Sequence, residues 1–157
     1  MDEAQRQAIL NKIHALKDLR IFYNMNDRDV FEVMKRCETR HYAAGEVVFA
    51  EGDTDHRLYV IVKGEFEITT QNTLGEPMRF FCAGEGLIFG EMAFLDAQPR
   101  SAKVTATEAA EVFSITPEQF SELLDQQPAT AARFMMGVAE ILSRRLRGAN
   151  QRIKHAT

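Results

Sequence analysis

Apolar residues recur every three or four positions along the first 38 residues, which is the spacing of one face of an α-helix. The pattern restarts after Asn26-Asp27, where the residue types favour a new helix start. The apolar positions are Ile9, Ile13, Leu16, Val30, Val33 and Met34. We therefore predict an N-terminal helical segment over residues 1–38.

Between residues 39 and 115 this pattern gives way to short β-rich runs that are separated by glycine or aspartate. One of them, Glu65–Thr69, alternates strictly between polar and apolar residues, as a strand with one buried face does. The runs are Val47–Phe49, Leu58–Val62, Glu65–Thr69, Met78–Cys82, Lys103–Thr107 and Glu111–Ile115. Their close spacing predicts an antiparallel β-roll of about eight strands, similar in shape to a jelly roll.

The last segment, residues 116–157, has helical periodicity again. Thr116-Pro117-Glu118-Gln119 combines a capping threonine, a proline at the first helical position and a glutamine three residues after the cap. A second helix start follows at Pro128, and its apolar stripe runs for about six turns. The stripe consists of Ala131, Met135, Val138, Leu142, Leu146, Ala149 and Ile153. Together the three zones predict an α+β domain in which helices flank a β-roll.

Composition narrows the class of protein. The 157 residues are 45% hydrophobic and 27% charged, and the net charge of −4 argues against a dedicated nucleic-acid binder. Cys37 and Cys82 form no CxxC pair, and the polar N-terminus is no signal peptide, so we expect a cytoplasmic protein. The longest apolar run, Leu58–Val62, is far too short to cross a membrane. From Pro128 onward the chain has six basic residues and one acidic residue, so this segment has a net charge of +5 and the rest of the chain a net charge of −9.

The segment FGEMAFLDAQPRSA, residues 89–102, carries the candidate chemistry. A helical turn beginning near Gly90 would expose backbone N–H groups, and a ligand can approach a glycine closely. Glu91 can accept hydrogen bonds from a sugar hydroxyl, and the planar guanidinium of Arg100 suits phosphate oxygens. Ser101 and Ala102 would add further donors. The alternative without ligand binding is an exposed Glu91–Arg100 salt bridge, which would contribute ~0–1 kcal/mol to stability.

This segment resembles the phosphate-binding cassette of the cyclic nucleotide-binding domain family, which reads F-G-E, a small apolar helix, then P-R-[SAT]-A. The resemblance extends over about residues 20–148, through Tyr42–Phe49, Glu51-Gly52-Asp53 and Leu58–Gly64. It implies a non-catalytic receptor that binds cAMP or cGMP and rearranges the two helices predicted within residues 116–157. Ser101 stands where members that prefer cGMP often carry threonine, which favours cAMP.

The resemblance also implies the ligand-binding residues. Glu91 would hold the ribose 2′-hydroxyl and Arg100 the cyclic phosphate, while backbone groups of the cassette complete the cradle. The full predicted set is Phe81, Ile88, Phe89, Gly90, Glu91, Met92, Ala93, Arg100, Ser101 and Ala102. Candidates for a lid over the base are Phe134, Met135 and Val138, for which a role in the core or in a dimer is the alternative. No cofactor, metal site or catalytic residue is expected.

Other functions remain open at this point. The domain could keep the fold only for protein–protein contact, or it could be a cupin-like metalloenzyme, although none of the four histidines forms an H-x-H pair. About nine residues follow Gly148, too few for a winged helix-turn-helix, so we expect no direct DNA binding. The chain would be either a sensory fragment or a receptor that acts through an effector protein. The long apolar stripe of the C-terminal helix indicates homodimerisation. We interpret the basic face of this helix as solvated charge; it consists of Arg144, Arg145, Arg147 and Arg152.

Overall fold

The computed structural model describes residues 1–155, which fold into helices flanking eight antiparallel strands in two sheets. The predicted α+β class and the β-roll are thereby confirmed. The helices are α1 (Glu3–Lys17), α2 (Asp27–Met34), α3 (Glu91–Asp96), α4 (Pro117–Gln126) and α5 (Pro128–His155), with a 3₁₀ turn at Arg20–Phe22. Residues 156–157, the end of the predicted C-terminal segment, lie outside the described residues.

The strands pair in two four-stranded sheets, in the orders β1-β8-β3-β6 and β2-β7-β4-β5. Their bounds are β1 Glu38–Tyr42, β2 Val47–Phe49, β3 Leu58–Lys63, β4 Phe66–Gln71, β5 Pro77–Ala83, β6 Ile88–Phe89, β7 Lys103–Ala106 and β8 Ala110–Ile115. Two of them, β1 and β6, were absent from the strand runs that the pattern predicted. The sheets face each other around the roll interior, and the helices cover the outer face of the first sheet.

The continuous apolar run in β3 reflects burial on both faces of its sheet. Tyr59 and Ile61 lie in the cluster inside the roll. Leu58 and Val60 lie in a second cluster, which the sheet forms with the helices. Successive side chains of a strand point to opposite faces, so a strand covered on both sides must be apolar at every position.

Two buried charges fasten α2 to the C-terminal helices. The carboxylate of Asp29 accepts hydrogen bonds from Thr130 Oγ1 at 2.6 Å and from Arg133 Nη1 at 3.1 Å, both on α5. Arg36, just after α2, pairs with Glu32 at 2.8 Å and donates to the side chain of Gln126 at 2.6 Å. These contacts join elements about 90 to 104 residues apart, so α2, α4 and α5 form one packed layer.

The C-terminal helices begin where the sequence predicts. Thr116 accepts a hydrogen bond from the backbone of Gln119, whose side chain bonds back to the backbone of Thr116, and Pro117 is the first helical residue. On α5, Phe134 and Val138 are buried in the helix-facing cluster, and Met135 packs against it. The three lid candidates thus pack into the core, which is the alternative role that the sequence left open.

Candidate functional site

A cavity of about 220 Å³ opens beside α3 at one end of the roll. The chain enters it from β6, turns at Gly90 into α3, and returns through Arg100 to Ala102 before β7. The lining is mostly aromatic and aliphatic, with one acid and one guanidinium. It consists of Phe49, Ile68, Phe80, Phe81, Phe89, Gly90, Glu91, Met92, Ala93, Arg100, Ser101, Ala102 and Val104.

Gly90 makes the sharp turn between β6 and α3. Its φ is +78°, in the left-handed region that residues with a Cβ rarely adopt. A Cβ at this position would lie 2.7 Å from Arg100 Nη1 and 2.8 Å from the carbonyl oxygen of Arg57. The turn therefore requires glycine both for its backbone conformation and for the space that the Arg100 guanidinium takes.

Arg100 is the buried cation of the cavity, with only 3% of its surface exposed. Its Nη1 donates to the carbonyl of Gly90 at 2.9 Å, and its Nη2 donates to the carbonyl of Arg57 at 2.8 Å. The guanidinium carbon lies 4.1 Å from the ring centroid of Phe49, and Asp55 Oδ2 is 3.5 Å from Nη2. Backbone carbonyls and an aromatic face thus hold the fork in one orientation.

The surroundings of Arg100 leave its charge poorly compensated. Among residues 1–155, no acceptor lies within hydrogen-bonding distance of its buried Nε. Burial lowers the pKa of the Arg100 guanidinium below its ordinary value, and the Asp55 carboxylate partly opposes this shift. Since Asp55 is about two-fifths exposed, solvent screens its charge. An anion in the cavity would satisfy both the unused donor and the desolvated charge.

Glu91, the first residue of α3, pairs with Arg145 rather than with Arg100. Arg145 Nη1 lies 3.1 Å from Glu91 Oε1, and Arg145 Nη2 donates to the carbonyl of Ile88. The guanidinium carbon of Arg145 also lies 4.6 Å from the ring centroid of Phe81. The expectation that Arg145 is a solvated charge is wrong, because its side chain is only 22% exposed and contacts Glu91 and Phe81, which line the cavity.

Nine of the ten residues predicted for the site line this cavity, and Ile88 does not. They are Phe81, Phe89, Gly90, Glu91, Met92, Ala93, Arg100, Ser101 and Ala102. Ile88 precedes Phe89 in β6, so their side chains point to opposite faces of the sheet. Phe89 lies in the roll interior, and the side chain of Ile88 packs against the helices. The wall position predicted for Ile88 is therefore not where the structure places it.

Sequence reasoning missed the lining side chains of Ile68, Phe80 and Val104, and it missed three residues that contact the two charged groups of the site or their surroundings. Phe49 ends β2 and faces the roll interior, but its run, Val47–Phe49, is apolar at every position and so does not indicate which face is buried. Asp55 and Arg145 come from a loop and from α5, 45 and 54 residues away in sequence from the residues that they contact. Nothing local distinguishes Arg145 from the other arginines of its charged run, so only the tertiary structure reveals it.

Comparison with known proteins decides the family. A family model described as the cyclic nucleotide-binding domain matches residues 39–127, which is more than half of the chain. The chain belongs to the cyclic nucleotide-binding domain family. The resemblance found in the sequence is thereby confirmed, and the cavity corresponds to the cassette on which that resemblance rested.

Relatives of this cyclic nucleotide-binding domain include proteins of different overall activity. The cyclic AMP receptor protein of Thermus thermophilus is 28% identical over 135 residues, 86% of this chain and 61% of the relative. Glutaminase 2 of Bradyrhizobium diazoefficiens is 32% identical over 125 residues, 80% of this chain but 19% of that enzyme. The chain thus spans less than two thirds of either protein, and what they share with it is this domain.

A solved structure shows the same fold over nearly the whole chain. The crystal structure of a cyclic nucleotide-binding domain from Methylobacillus flagellatus has a TM-score of 0.86 at 20% identity, covering 94% of this chain and 85% of that one. Within residues 1–155, no helix has the length and apolarity needed to span a membrane. In the same range, no group of three or more histidine, cysteine or acidic side chains is arranged to hold a metal ion.

Proposed function

We propose that this cyclic nucleotide-binding domain is a non-catalytic receptor for a cyclic nucleotide, with cAMP preferred over cGMP. The observation that carries the proposal is Arg100, a buried guanidinium with an unused Nε donor on the wall of an apolar cavity. A cyclic phosphate supplies the acceptors and the negative charge that this group lacks. The family match supports this function over a cupin-like enzyme or a domain kept only for protein contact.

The remaining parts of the ligand follow from the lining. Glu91 accepts a hydrogen bond from the sugar 2′-hydroxyl, and the apolar side chains of Phe80, Phe81 and Met92 provide surface for the base. Ser101, rather than a threonine, supports cAMP as the preferred ligand, and the Thermus thermophilus relative is named for cyclic AMP. In this assignment residues 1–157 act as one ligand-binding unit.

Aromatic contacts connect α3, beside the ligand cavity, with the C-terminal helices. Phe94 of α3 meets Phe120 of α4 edge to face, with ring centroids 5.8 Å apart. Phe120 in turn lies 6.2 Å from Phe134 of α5. A ligand that favours one position of α3 therefore favours one arrangement of α4 and α5, and an effector protein would read that arrangement.

Calorimetry on the whole chain tests the receptor function. We expect cAMP to bind, and Arg100→Gln to weaken binding about ten- to hundredfold, as the loss of one charge-assisted hydrogen bond predicts. The matched control is Arg79→Gln, which removes an exposed arginine of the roll and should leave affinity unchanged. Arg100→Lys keeps the charge without the fork and should fall between the two.

Two outcomes would contradict the proposal. One is a wild-type chain that binds neither cAMP nor cGMP and is not stabilised by them in thermal melts. The other is a folded Arg100→Gln variant that binds cAMP as the wild type does. If only cyclic di-GMP bound in the same screen, the chain would still be a receptor, but its ligand would be a cyclic dinucleotide.

We also propose that two copies of the chain pair through α5. Leu146 and Ile153 are seven residues apart on this helix and are 64% and 69% exposed, which is the spacing of a coiled-coil seam. Sedimentation should give a dimer for the wild type and a monomer for Leu146→Glu/Ile153→Glu. Met136→Glu changes an equally exposed residue of α5 and serves as the control. A wild-type monomer at high concentration would refute the pairing.

A further inference from the structure

An oxidisable sulfur lies on the wall of the ligand cavity. Met92 is the second residue of α3, its side chain lines the cavity, and 56% of its surface is exposed. Three other methionines are comparably exposed, Met1, Met78 and Met136, but they lie outside the cavity lining. The thioether of Met92 is therefore open to small reagents in solvent and at the same time belongs to the surface that the ligand would contact.

The sulfur of Met92 accepts a hydrogen bond from the hydroxyl of Ser101. Ser101 Oγ lies 3.7 Å from Met92 Sδ, and both side chains line the cavity. Ser101 directly follows Arg100, the buried cation that would bind the phosphate. A thioether is a weak acceptor, whereas a phosphate oxygen is a strong one, so a ligand easily takes the single O–H donor of Ser101 from the sulfur. The contact thus leaves Ser101 available to the ligand as long as Met92 is reduced.

Oxidation of Met92 would replace this weak acceptor with a strong one. Hydrogen peroxide transfers one oxygen atom to the thioether: a sulfur lone pair forms the S–O bond, the O–O bond breaks, and the departing hydroxide leaves as water with the proton of the transferred oxygen. The sulfur loses two electrons and the peroxide gains them. The product is a polar sulfoxide, and its oxygen can reach Ser101 Oγ because it is bonded to a sulfur only 3.7 Å away.

A sulfoxide at this position opposes nucleotide binding in two ways. Serine has one donor hydrogen, so a hydroxyl that donates to the sulfoxide does not donate to the phosphate. The sulfoxide also adds a polar group to the apolar surface that Phe80, Phe81 and Met92 offer to the base, and that group must lose its water when the ligand binds. Both effects lower affinity for the nucleotide.

We propose that Met92 is an oxidative modification site that regulates the receptor: its sulfoxide holds the Ser101 hydroxyl and lowers affinity for the cyclic nucleotide. The inference rests on the receptor function proposed above. Methionine sulfoxide reductases reverse the modification. A bound nucleotide covers Met92 and so slows its oxidation.

Calorimetry with cAMP before and after treatment with dilute hydrogen peroxide tests this modification on the whole chain. Two complementary variants assign the effect, since Met92→Leu keeps the other exposed methionines and Met78→Leu/Met136→Leu keeps Met92. We expect peroxide to lower cAMP affinity about tenfold in the wild type and in the double variant, and to leave Met92→Leu within about twofold of its own untreated affinity. Mass spectrometry of peptides locates the added oxygen, and a methionine sulfoxide reductase should restore the affinity.

Three further measurements test the role of Ser101 and of the cavity. Ser101→Ala lacks the hydroxyl, so peroxide should lower its affinity less than about threefold. Met92→Gln introduces an amide oxygen without peroxide and should bind cAMP more weakly than Met92→Leu; with the double variant it keeps the test decisive if Met92→Leu folds poorly. Saturating cAMP should slow oxidation of Met92 at least about threefold and leave the rate unchanged at Met136, which is 64% exposed on α5.

Failure of this inference is distinguishable from failure of the receptor function. The inference is overturned if peroxide leaves Met92 unmodified, or if the wild type with a sulfoxide at Met92 binds cAMP as before. It is also overturned if peroxide weakens Met92→Leu as much as the wild type, if Ser101→Ala shows the full loss, or if cAMP does not slow the oxidation of Met92. Each of these results leaves the receptor intact, because the untreated chain still binds. A wild type that binds no cyclic nucleotide before treatment overturns the receptor function itself.

Discussion

Gly90→Ala is the substitution that tests the geometry of the site most directly. Two separate effects are expected, and the structure supplies a control for one of them. Gly75 lies in the turn between β4 and β5 with a φ of +79°, almost the same as the +78° of Gly90. A Cβ at Gly75 would meet nothing within 4 Å, whereas one at Gly90 would meet the Arg100 guanidinium at 2.7 Å.

The magnitudes follow from this comparison. Placing alanine in the left-handed region costs about 1–2 kcal/mol, and the stiffer unfolded chain returns about 0.4–1 kcal/mol, so Gly75→Ala should destabilise by about 1 kcal/mol. Gly90→Ala carries the same strain and also displaces Arg100 Nη1 from the Gly90 carbonyl. Loss of that charge-assisted bond adds about 1.5–3 kcal/mol. We therefore expect a total of about 2–4 kcal/mol for Gly90→Ala.

Urea unfolding and calorimetry measure both consequences. The midpoint should fall further for Gly90→Ala than for Gly75→Ala at an unchanged slope, and only Gly90→Ala should weaken cAMP binding. The reasoning fails if the two variants lose the same stability, because the contact with Arg100 would then contribute nothing. It fails equally if Gly90→Ala is destabilised but binds cAMP as tightly as Gly75→Ala does.

Two further predictions concern the buried charges that join the helices. Asp29→Ala should destabilise the chain by about 2–4 kcal/mol, because it removes the acceptor of the buried Thr130 hydroxyl and of Arg133 on α5. Asp27→Ala, at an exposed pair, should cost clearly less, and equal losses in urea unfolding would contradict the role of Asp29 in joining α2 to α5. The hydrogen bond from Arg36 lowers the pKa of Glu32 below its ordinary value. This stabilisation is present above the unfolded pKa of about 4.3 and is lost as pH falls through the lower folded pKa, so Glu32→Gln should destabilise at pH 7 and do so progressively less as pH falls below about 4. A loss independent of pH would refute this.

The sequence predicted those parts of the fold that depend on local pattern. The continuous apolar run of β3 and the alternation of β4 identify strands, and the capping residues at Thr116 locate the start of α4 to the residue. It missed β1, because Glu38–Tyr42 is largely polar and is held mainly by backbone pairing with β8. It missed β6 because two residues are too few for any periodicity to show.

For the candidate site, too, the local features could be predicted from the sequence and the long-range contacts could not. The cassette residues from Phe89 to Ala102 are close in sequence, so a resemblance over one short segment was enough to propose them. The partners of the two charged residues came from elsewhere. Glu91 pairs with Arg145, and Arg100 approaches Asp55, whereas the sequence had left a Glu91–Arg100 salt bridge open as the alternative. Such pairings depend on how distant elements pack, and no local pattern encodes them.

The placement of Arg145 has a thermodynamic consequence for the whole C-terminal helix. Two groups of contacts hold α5, with Thr130 and Arg133 bound to α2 near its start and Arg145 bound to the cassette about three turns further on. If the ligand binds best to the cassette arrangement that Arg145 holds, then any partner that pulls the distal half of α5 away lowers affinity for the nucleotide. Linkage makes the relation reciprocal: a bound nucleotide must then oppose that displacement by the same free energy. Because the early contacts are far from the cavity, only the distal half of α5 would respond in this way.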